Sequence, residues 1–320
     1  MEKTCIELRH LLDRNRRKNL SDCLLLSGGM DSSVLASIFR PVCTLTVALG
    51  SGAPDLFFAK LIAKMFSTIH NEIILTMADV LEITKQVIIL LRTFDPIEIR
   101  NSSVMYAGIR NAKEKGYRTV MTGDGGDELF AGYNYLNKFY SDEEALQREL
   151  NRLWNLMHFS SLEIGDQLGV GIKTPFLDQD FLVFAQSIPV SMKVGKHQER
   201  LWGKFILREC FQAELGEEIS WRSKLAQENG AGISNIMTYF EHTVDDDSFK
   251  TDLKNAEFEG VSIRNKEHLQ YYKTFKESFG LPRDEPCGFL PRCPLCQGCF
   301  KWTGNFCRTC GAYPVIPYYV

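Results

Sequence analysis

The 320 residues carry 37 Lys+Arg against 40 Asp+Glu, a formal net charge of -3, with 44% hydrophobic and 11% aromatic residues. These proportions exclude a collagen-like, low-complexity or disordered chain, and the near-balance of charge excludes a global basic field for nucleic acid. The longest apolar runs, such as Val87 to Leu91 and Phe181 to Ala185, fall far below the roughly 18 residues that span a bilayer, so no membrane association is expected.

The length suggests about two domains, or one large α/β domain with an appendage. The chain opens with Met-Glu-Lys-Thr-Cys-Ile-Glu, which lacks the apolar stretch of a secretory signal and reads as an amphipathic helix to about Asn19. A cytoplasmic enzyme is expected. Asp22 to Leu26 reads as a first buried strand, followed by a helix (Ser32 to Phe39), a strand (Val42 to Ala48) and a helix (Asp55 to Phe66). A strand (His70 to Leu75), two helices (Met77 to Leu91 and Ser102 to Lys115) and a strand (Arg118 to Met121) continue the series. Such βα repetition predicts an α/β fold, a parallel twisted sheet flanked by helices. From about Ser141 to Phe240 the strand signal vanishes, and a helical extension packed on the sheet is expected. Val244 to Lys254, with Asp245, Asp246 and Asp247, reads as a loop or linker, with a solvated helix end as the equal alternative. A cysteine-rich module begins near Pro286. The expected organisation is therefore an N-terminal helix (1–20), the α/β domain (21–240), a helical or linker segment (241–285) and the cysteine module (286–320).

Directly after the first strand stands Ser27-Gly28-Gly29-Met30-Asp31-Ser32-Ser33. Adjacent glycines let the backbone curl its N–H groups toward an anion, the serines add hydroxyls, and the following helix contributes its positive end. The carboxylate of Asp31 suits Mg²⁺ on a polyphosphate rather than the phosphate itself. A plain capped turn explains one Ser or Gly but not the whole set. At the end of the fourth strand, Thr122-Gly-Asp-Gly-Gly-Asp-Glu-Leu-Phe-Ala-Gly-Tyr133 forms a flexible acidic loop that calls for a cation, so Asp127 is expected to share Mg²⁺ with Asp31.

These segments resemble the SGGxDS loop of the PP-loop ATP pyrophosphatases, a Rossmann-like superfamily, and the G[ED]GxDExFxGY segment of its asparagine synthetase family. Further similar segments follow in the family's order: Asp95 to Tyr106, Lys173-Thr-Pro-Phe-Leu-Asp178, Lys204 to Glu209, and Trp221 to Gly232. Lys173 stands where the family usually has Arg, and Gly171 where it usually has Glu. The resemblance covers about residues 20 to 240. It implies an ATP-dependent, AMP-forming ligase that adenylates a carboxylate, releases pyrophosphate and lets ammonia or another amine displace AMP. It implies pyrophosphate binding by Ser27, Gly28, Gly29, Asp31, Ser32 and Ser33, with adenine near Ala48 and Leu49 and the ribose near Gly123. Plain core packing is the even alternative for Ala48 and Leu49. Asp124 stands at the position of the family's proton-handling carboxylate, as Asp rather than Glu, which shortens its reach by one methylene.

Charge neutralisation on the leaving pyrophosphate calls for a lysine. Lys224 is expected in that role, since it precedes a loop containing Gly230 and Gly232 and occupies the place of the family's catalytic lysine. Lys204 and Arg222 are weaker choices, and Lys204 reads equally as a solvent-facing helix residue. The family's usual N-terminal glutaminase domain has no counterpart in the 26 residues before Ser27, and position 2 is Glu. Free ammonia, a separate glutaminase subunit or an amine on a larger substrate is therefore expected, and Cys5 reads as an ordinary helix cysteine. A rival reading is a PP-loop enzyme that adenylates tRNA or another macromolecule recruited by the C-terminal module.

Six of the ten cysteines lie between Cys287 and Cys310, which points to a metal site in a reducing compartment. Two CxxC knuckles, Cys293/Cys296 and Cys307/Cys310, suit one tetrahedral Zn²⁺ in a zinc ribbon. Cys299 as an alternative ligand to Cys296, or Cys287 and Cys299 as free thiols, stay open. From Leu281 to Val320 the net charge is +2 (Arg283, Arg292, Lys301 and Arg308 against Asp284 and Glu285), interleaved with Phe289, Phe300, Trp302 and Phe306. A structural or protein-binding use is favoured over RNA binding for so small an excess.

Overall fold

The computed structural model describes residues 1–300 and 304–319. Lys301 and Trp302 lie outside them. The first elements are α1 (Glu2–Arg14), β1 (Cys23–Leu25), α2 (Met30–Phe39), β2 (Cys43–Leu49), α3 (Pro54–Met65) and β3 (Ile69–Leu75). Next come α4 (Met77–Leu91), α5 (Pro96–Glu114), β4 (Thr119–Met121), α6 (Gly126–Leu129), α7 (Glu143–Leu156), α8 (Ser160–Leu168) and β5 (Gly171–Lys173). Then follow α9 (Gln179–Ser187), α10 (Val190–Lys193), β6 (Val194–His197), β7 (Arg200–Gly203), α11 (Phe205–Leu215), α12 (Glu217–Ser220) and α13 (Gln227–Gly230). Three more helices, α14 (Asn235–Thr243), α15 (Asp246–Phe258) and α16 (Lys266–Phe279), precede the cysteine module.

The chain forms two compact units that interleave in sequence. One comprises Met1–Ile74 and Gly108–Ala231, and the other Leu75–Ala107 and Gly232–Val320. In the first, a five-stranded sheet has the order β3-β2-β1-β4-β5, with β1 parallel to β2 and β4, and β4 parallel to β5. The expected α/β architecture is present. β1 is central, and the chain leaves it toward β2 on one side and later resumes at β4 on the other. The loops after β1 and β4 therefore emerge side by side at a topological switch point, where open α/β sheets bind ligands.

Helix α1 belongs to this unit's core. Leu8, Leu11 and Leu12 recur at helical spacing, are fully or nearly fully buried, and join Val34, Leu35, Phe181, Ile206 and Phe211 in one apolar cluster. Each such side chain contributes about 1.5–3 kcal/mol by leaving water. Cys5 is not an isolated helix cysteine: it pairs with Cys210 of α11 in a disulfide, which the spacing of 205 residues conceals.

Two expectations are corrected and one that was left open is decided. Strand structure does occur after Ser141, as β5 at the sheet edge and as the antiparallel hairpin β6–β7. β5 is only Gly171-Ile-Lys173 and owes its extended state to backbone pairing with Thr119 to Met121, which leaves no apolar period to read. The hairpin turns through Gln198 and Glu199 at φ 47° and 61°, without the glycine or asparagine that would announce it. The acidic run after Val244 is the start of helix α15 rather than a loop. Asp245 caps it by accepting a hydrogen bond from the Ser248 N–H at 2.9 Å, and Asp246 and Asp247 complement the helix dipole. Helix α5 begins at Pro96 rather than Ser102, because Pro suits the first helical position and Asp95 accepts from the Ile97 N–H at 3.1 Å. In the second unit, Phe94 stacks on His268 and meets Tyr272 at a tilt and Phe275 edge-on, all of α16, at centroid distances of 5.4, 5.3 and 5.1 Å. Among the described residues no helix is long and apolar enough to cross a membrane.

Candidate active site

The turn after β1 is held by its own hydroxyls. Ser27 Oγ accepts from the Gly29 N–H at 3.2 Å, while Ser32 Oγ donates to the Gly29 carbonyl and accepts from the Ser27 N–H at 3.2 and 3.3 Å. Gly29 caps α2 without a side-chain bond, which places Asp31 in the first turn at the positive end of a ten-residue helix. Ser33 is fully buried beneath it. From the neighbouring strand β4, the acidic loop folds back over this turn. A Cβ on Gly126 would lie 2.3 Å from Asp31 Oδ1, so a larger residue there would push the Asp31 carboxylate aside. A Cβ on Gly123 would come 3.0 Å from that of Asp31, placing this residue at the same turn.

Lys204 occupies the centre of the site. Its Nζ bonds to Asp31 and stands 2.6 Å from Asp127 Oδ1, while Lys224 Nζ bonds to the other oxygen of Asp127. The sequence left open that Lys204 faces solvent. In fact it is 2% exposed, because it precedes α11 rather than riding on its outer face. Its backbone is left-handed, with φ 56° and ψ 27°, a conformation that costs a non-glycine residue roughly 1–2 kcal/mol. The Lys204 N–H donates to the Phe130 carbonyl at 2.8 Å and holds that conformation, which aims the side chain between the two carboxylates.

Charge distribution follows from this geometry. Burial would raise the pKa of Asp127, but Lys204 and Lys224 outweigh it and keep the carboxyl well below the usual range. Asp31 is pushed up by burial, against the pull of Lys204. The ammonium of Lys204 is itself stabilised beyond its ordinary value: desolvation works against the charge, and Asp127 and Asp31 prevail. Asp124 is raised by burial; its Oδ2 accepts from Thr122 Oγ1 at 2.7 Å and from the Ser161 hydroxyl. Two hydroxyl donors thus fix one oxygen of this carboxylate.

The donors suit Mg²⁺. Asp31 Oδ1 is buried without a hydrogen-bond partner among the described residues, and the carboxylates of Asp31 and Asp127 offer hard oxygen donors at one point. Ala48 is fully buried and packs with Ala53 and Leu56, while the Leu49 N–H donates to the Ala231 carbonyl at 2.7 Å. The end of β2 is thereby tied to the segment that carries Lys224. Arg222, the other weaker choice, is engaged internally by Asp55 and the Ser27 carbonyl.

In the second unit the four knuckle cysteines converge. Cys293, Cys296, Cys307 and Cys310 are buried, with all four sulfurs within 4.8 Å of one another. Cys293 Sγ lies 3.9 Å from Cys310 Sγ, and Cys296 Sγ 3.8 Å from Cys307 Sγ. Tetrahedral Zn²⁺ with bonds of about 2.3 Å separates its sulfurs by about 3.8 Å, so the cluster suits that ion. Cys287 and Cys299 are neither ligands of this cluster nor free thiols; they form a disulfide with each other, since the fold brings their Cα atoms to 5.3 Å. The second knuckle is anchored from outside. Arg264 donates to the carbonyls of Cys310 and Gly311 at 2.9 and 3.1 Å, and the Phe94 N–H donates to that of Thr309 at 2.8 Å.

Residues 7–164 and 163–262 match the asparagine synthase family. The chain belongs to this family. It is 32% identical over 311 residues to asparagine synthetase B [glutamine-hydrolyzing] of Escherichia coli (strain K12), which covers 88% of the chain and 55% of the relative. A probable asparagine synthetase [glutamine-hydrolyzing] of Schizosaccharomyces pombe is 31% identical over 85% of the chain and 55% of its own length. Asparagine synthetase [glutamine-hydrolyzing] 1 of Lotus japonicus is 33% identical over 68% of the chain and 41% of its own length. The chain thus spans about half the length of the curated relatives it matches. Among solved structures, a predicted subunit of tRNA methyltransferase from Methanocaldococcus jannaschii aligns over 64% of the chain and 93% of its own, at 18% identity and a TM-score of 0.27, too low to support an argument.

The motifs named Asp124 and Asp127 but not their supports. Ser161 lies 37 residues from the carboxylate it meets, in a helix whose sequence shows no motif. Glu128 follows Asp127 and is held by the Tyr133 hydroxyl at 2.6 Å; burial first, then the charge of Asp127, pushes its carboxyl from 4.5 up to about 7. The folded state therefore binds this proton more tightly than the unfolded chain. Its contribution to stability is fully present below about pH 4.5 and is lost as pH rises through about 7. We expect Glu128→Gln to flatten the decline of stability between pH 5 and 8, by up to about 3 kcal/mol. Urea unfolding midpoints at both pH values check this, and parallel profiles for the two proteins would refute it.

Proposed function

We propose that this chain is an ATP-dependent, AMP-forming carbon-nitrogen ligase that activates a carboxylate as its adenylate and transfers an amine to it. One observation carries the reading: Lys204 bridges Asp31 and Asp127, which come from loops on adjacent parallel strands at the switch point of the sheet. Pyrophosphate would lie against the open N–H groups of the Ser27 to Ser33 turn, where the α2 dipole and the two lysines oppose its charge. Asp31 and Asp127 would hold Mg²⁺, which would supply positive charge to the leaving pyrophosphate. Ser27 and Ser32 orient the phosphate oxygens through their hydroxyls. Lys224, 25% exposed at its side chain, is the cation able to follow charge as it develops, whereas Lys204 is locked between carboxylates. Asp124, with one oxygen fixed by Thr122 and Ser161, takes up a proton from the incoming amine at its other oxygen. Adenine would lie near Ala48 and Leu49, with the ribose near Gly123.

The simplest substrate pair is aspartate with ammonia, supplied free or by a separate glutaminase subunit. The four-cysteine module is assigned Zn²⁺ and a structural or protein-docking use. A cytoplasmic location suits ATP supply and four reduced thiolates. The test is pyrophosphate release from ATP and Mg²⁺ with and without aspartate plus ammonium, with AMP and asparagine measured together. Release that rises with aspartate and yields asparagine in equal amount is expected. No aspartate-dependent release would reject this substrate pair, and release dependent on RNA instead would reject the small-carboxylate reading.

A further inference from the structure

Lys224 must meet the leaving pyrophosphate in the reading above, yet it lies outside any regular element, between α12 and α13. Its ammonium is held by Asp127, and its backbone is fixed from two residues away. The Arg222 guanidinium binds Asp55 Oδ1 through Nη2 at 2.6 Å and donates through Nη1 to the Ser27 carbonyl at 3.2 Å. It also lies 4.1 Å over the Phe58 ring, and both members of the ion pair are nearly fully buried, with side chains 9% and 8% exposed. Asp55 sits in the first turn of α3, behind Pro54, where the helix dipole favours its charge. From the other side, Arg208 donates to the Arg222 carbonyl at 3.1 Å. The C-terminal end of the same segment closes on the same carboxylate: a Cβ on Gly230 would lie 2.4 Å from both Asp55 oxygens.

We propose that the buried Asp55–Arg222 pair, with Gly230 closed against it, is a positioning clamp that sets Lys224 against the phosphate turn. The inference rests on the ligase reading for its consequence but not for its geometry. Arg222 contacts the turn through a backbone carbonyl and the α3 terminus through a carboxylate, so its place in the chain ties three segments to one point. A displacement of about 1 Å at a reacting group costs on the order of 10²-fold in rate. The clamp is therefore expected to act on kcat through Lys224 while leaving nucleotide affinity nearly unchanged.

Three variants test this: Asp55→Asn, Gly230→Ala, which keeps both charges but displaces the carboxylate, and Asp55→Asn combined with Lys224→Ala. Two readouts are required, pyrophosphate release and the rate at which an amine-reactive reagent labels Lys224, followed by mass spectrometry. For the single variants kcat is expected to fall about 10- to 100-fold with KM for ATP within about threefold, and Lys224 labelling to rise about tenfold. In the Lys224→Ala background, Asp55→Asn should add less than about a twofold loss. Losses that multiply in the double variant, or Lys224 labelling that stays at the wild-type rate in both single variants, would overturn the clamp. If Asp55→Asn does not fold, Gly230→Ala decides by the same readouts. Faster labelling in the variants alongside a wild type that releases no pyrophosphate with any carboxylate offered would keep the clamp and reject the ligase reading.

Discussion

Asp127→Asn is expected to lower ATP-dependent pyrophosphate release by roughly 10²–10³-fold, the scale lost when a charge-stabilising group is removed from a preorganised site. Among the described residues, Asp127 is the one carboxylate touched by both lysines. Asparagine keeps its shape but removes the charge, so Lys224 loses its partner and Lys204 keeps only Asp31. The proposed Mg²⁺ site also drops to a single carboxylate. Because Lys204 keeps Asp31 and Lys224 is partly exposed, only a modest fall in melting temperature is expected alongside the kinetic loss. The two effects separate in practice: ATP-analogue binding measured well below the melting temperature should weaken with Asp127→Asn even where the protein is fully folded. Turnover within twofold of wild type would remove Asp127, and with it the bridged-carboxylate reading, from the mechanism.

The second large effect concerns the four-cysteine module. Purified protein is expected to hold one zinc ion per chain, and Cys293→Ser or Cys307→Ser to lose it, whereas Cys287→Ser and Cys299→Ser should retain it. The distinction follows from geometry, since the first two belong to the buried cluster and the latter two pair only with each other. Structural zinc in small knuckles carries an apparent binding free energy of about 10–16 kcal/mol, most of which is folding free energy for the module. Chelation should therefore unfold the second knuckle and release its bonds to Arg264 and Phe94. Metal analysis by mass spectrometry, with hydrogen exchange at residues 304–319, provides the check. A metal-free wild type that keeps full protection there would refute the assignment.

Much of the fold was legible because its signals are local. The serine-glycine turn, the acidic loop and each CxxC pair lie within a dozen residues, each step of the βα alternation is read from its own short period, and turn chemistry, helix capping and ligand spacing act over that range. The same locality explains the misses. The acidic run after Val244 could be read as a linker or as a helix start, and only the Asp245 cap decides between them. β5 has three residues and no periodicity, so it exists as a strand only through its neighbour β4. The pairing of Cys5 with Cys210 and of Cys287 with Cys299 depends on where α1, α11 and the ends of the cysteine module are carried by the rest of the chain.

For the site, the amino-acid sequence by itself determined which residue types stand at the ends of β1 and β4, and hence a phosphate turn facing an acidic loop. It also determined four thiolates at the spacing of two knuckles. Only the tertiary structure decided which cations meet those carboxylates. Lys204 reaches Asp31 across 173 residues and Lys224 reaches Asp127 across 97, and Arg222 is turned inward to Asp55 across 167. The physical reason is that an ion pair has no sequence period. Its partners are chosen by the packing of α11 against α2 and of α3 against β2, which buries a carboxylate and leaves it to find whatever charge the fold places within reach.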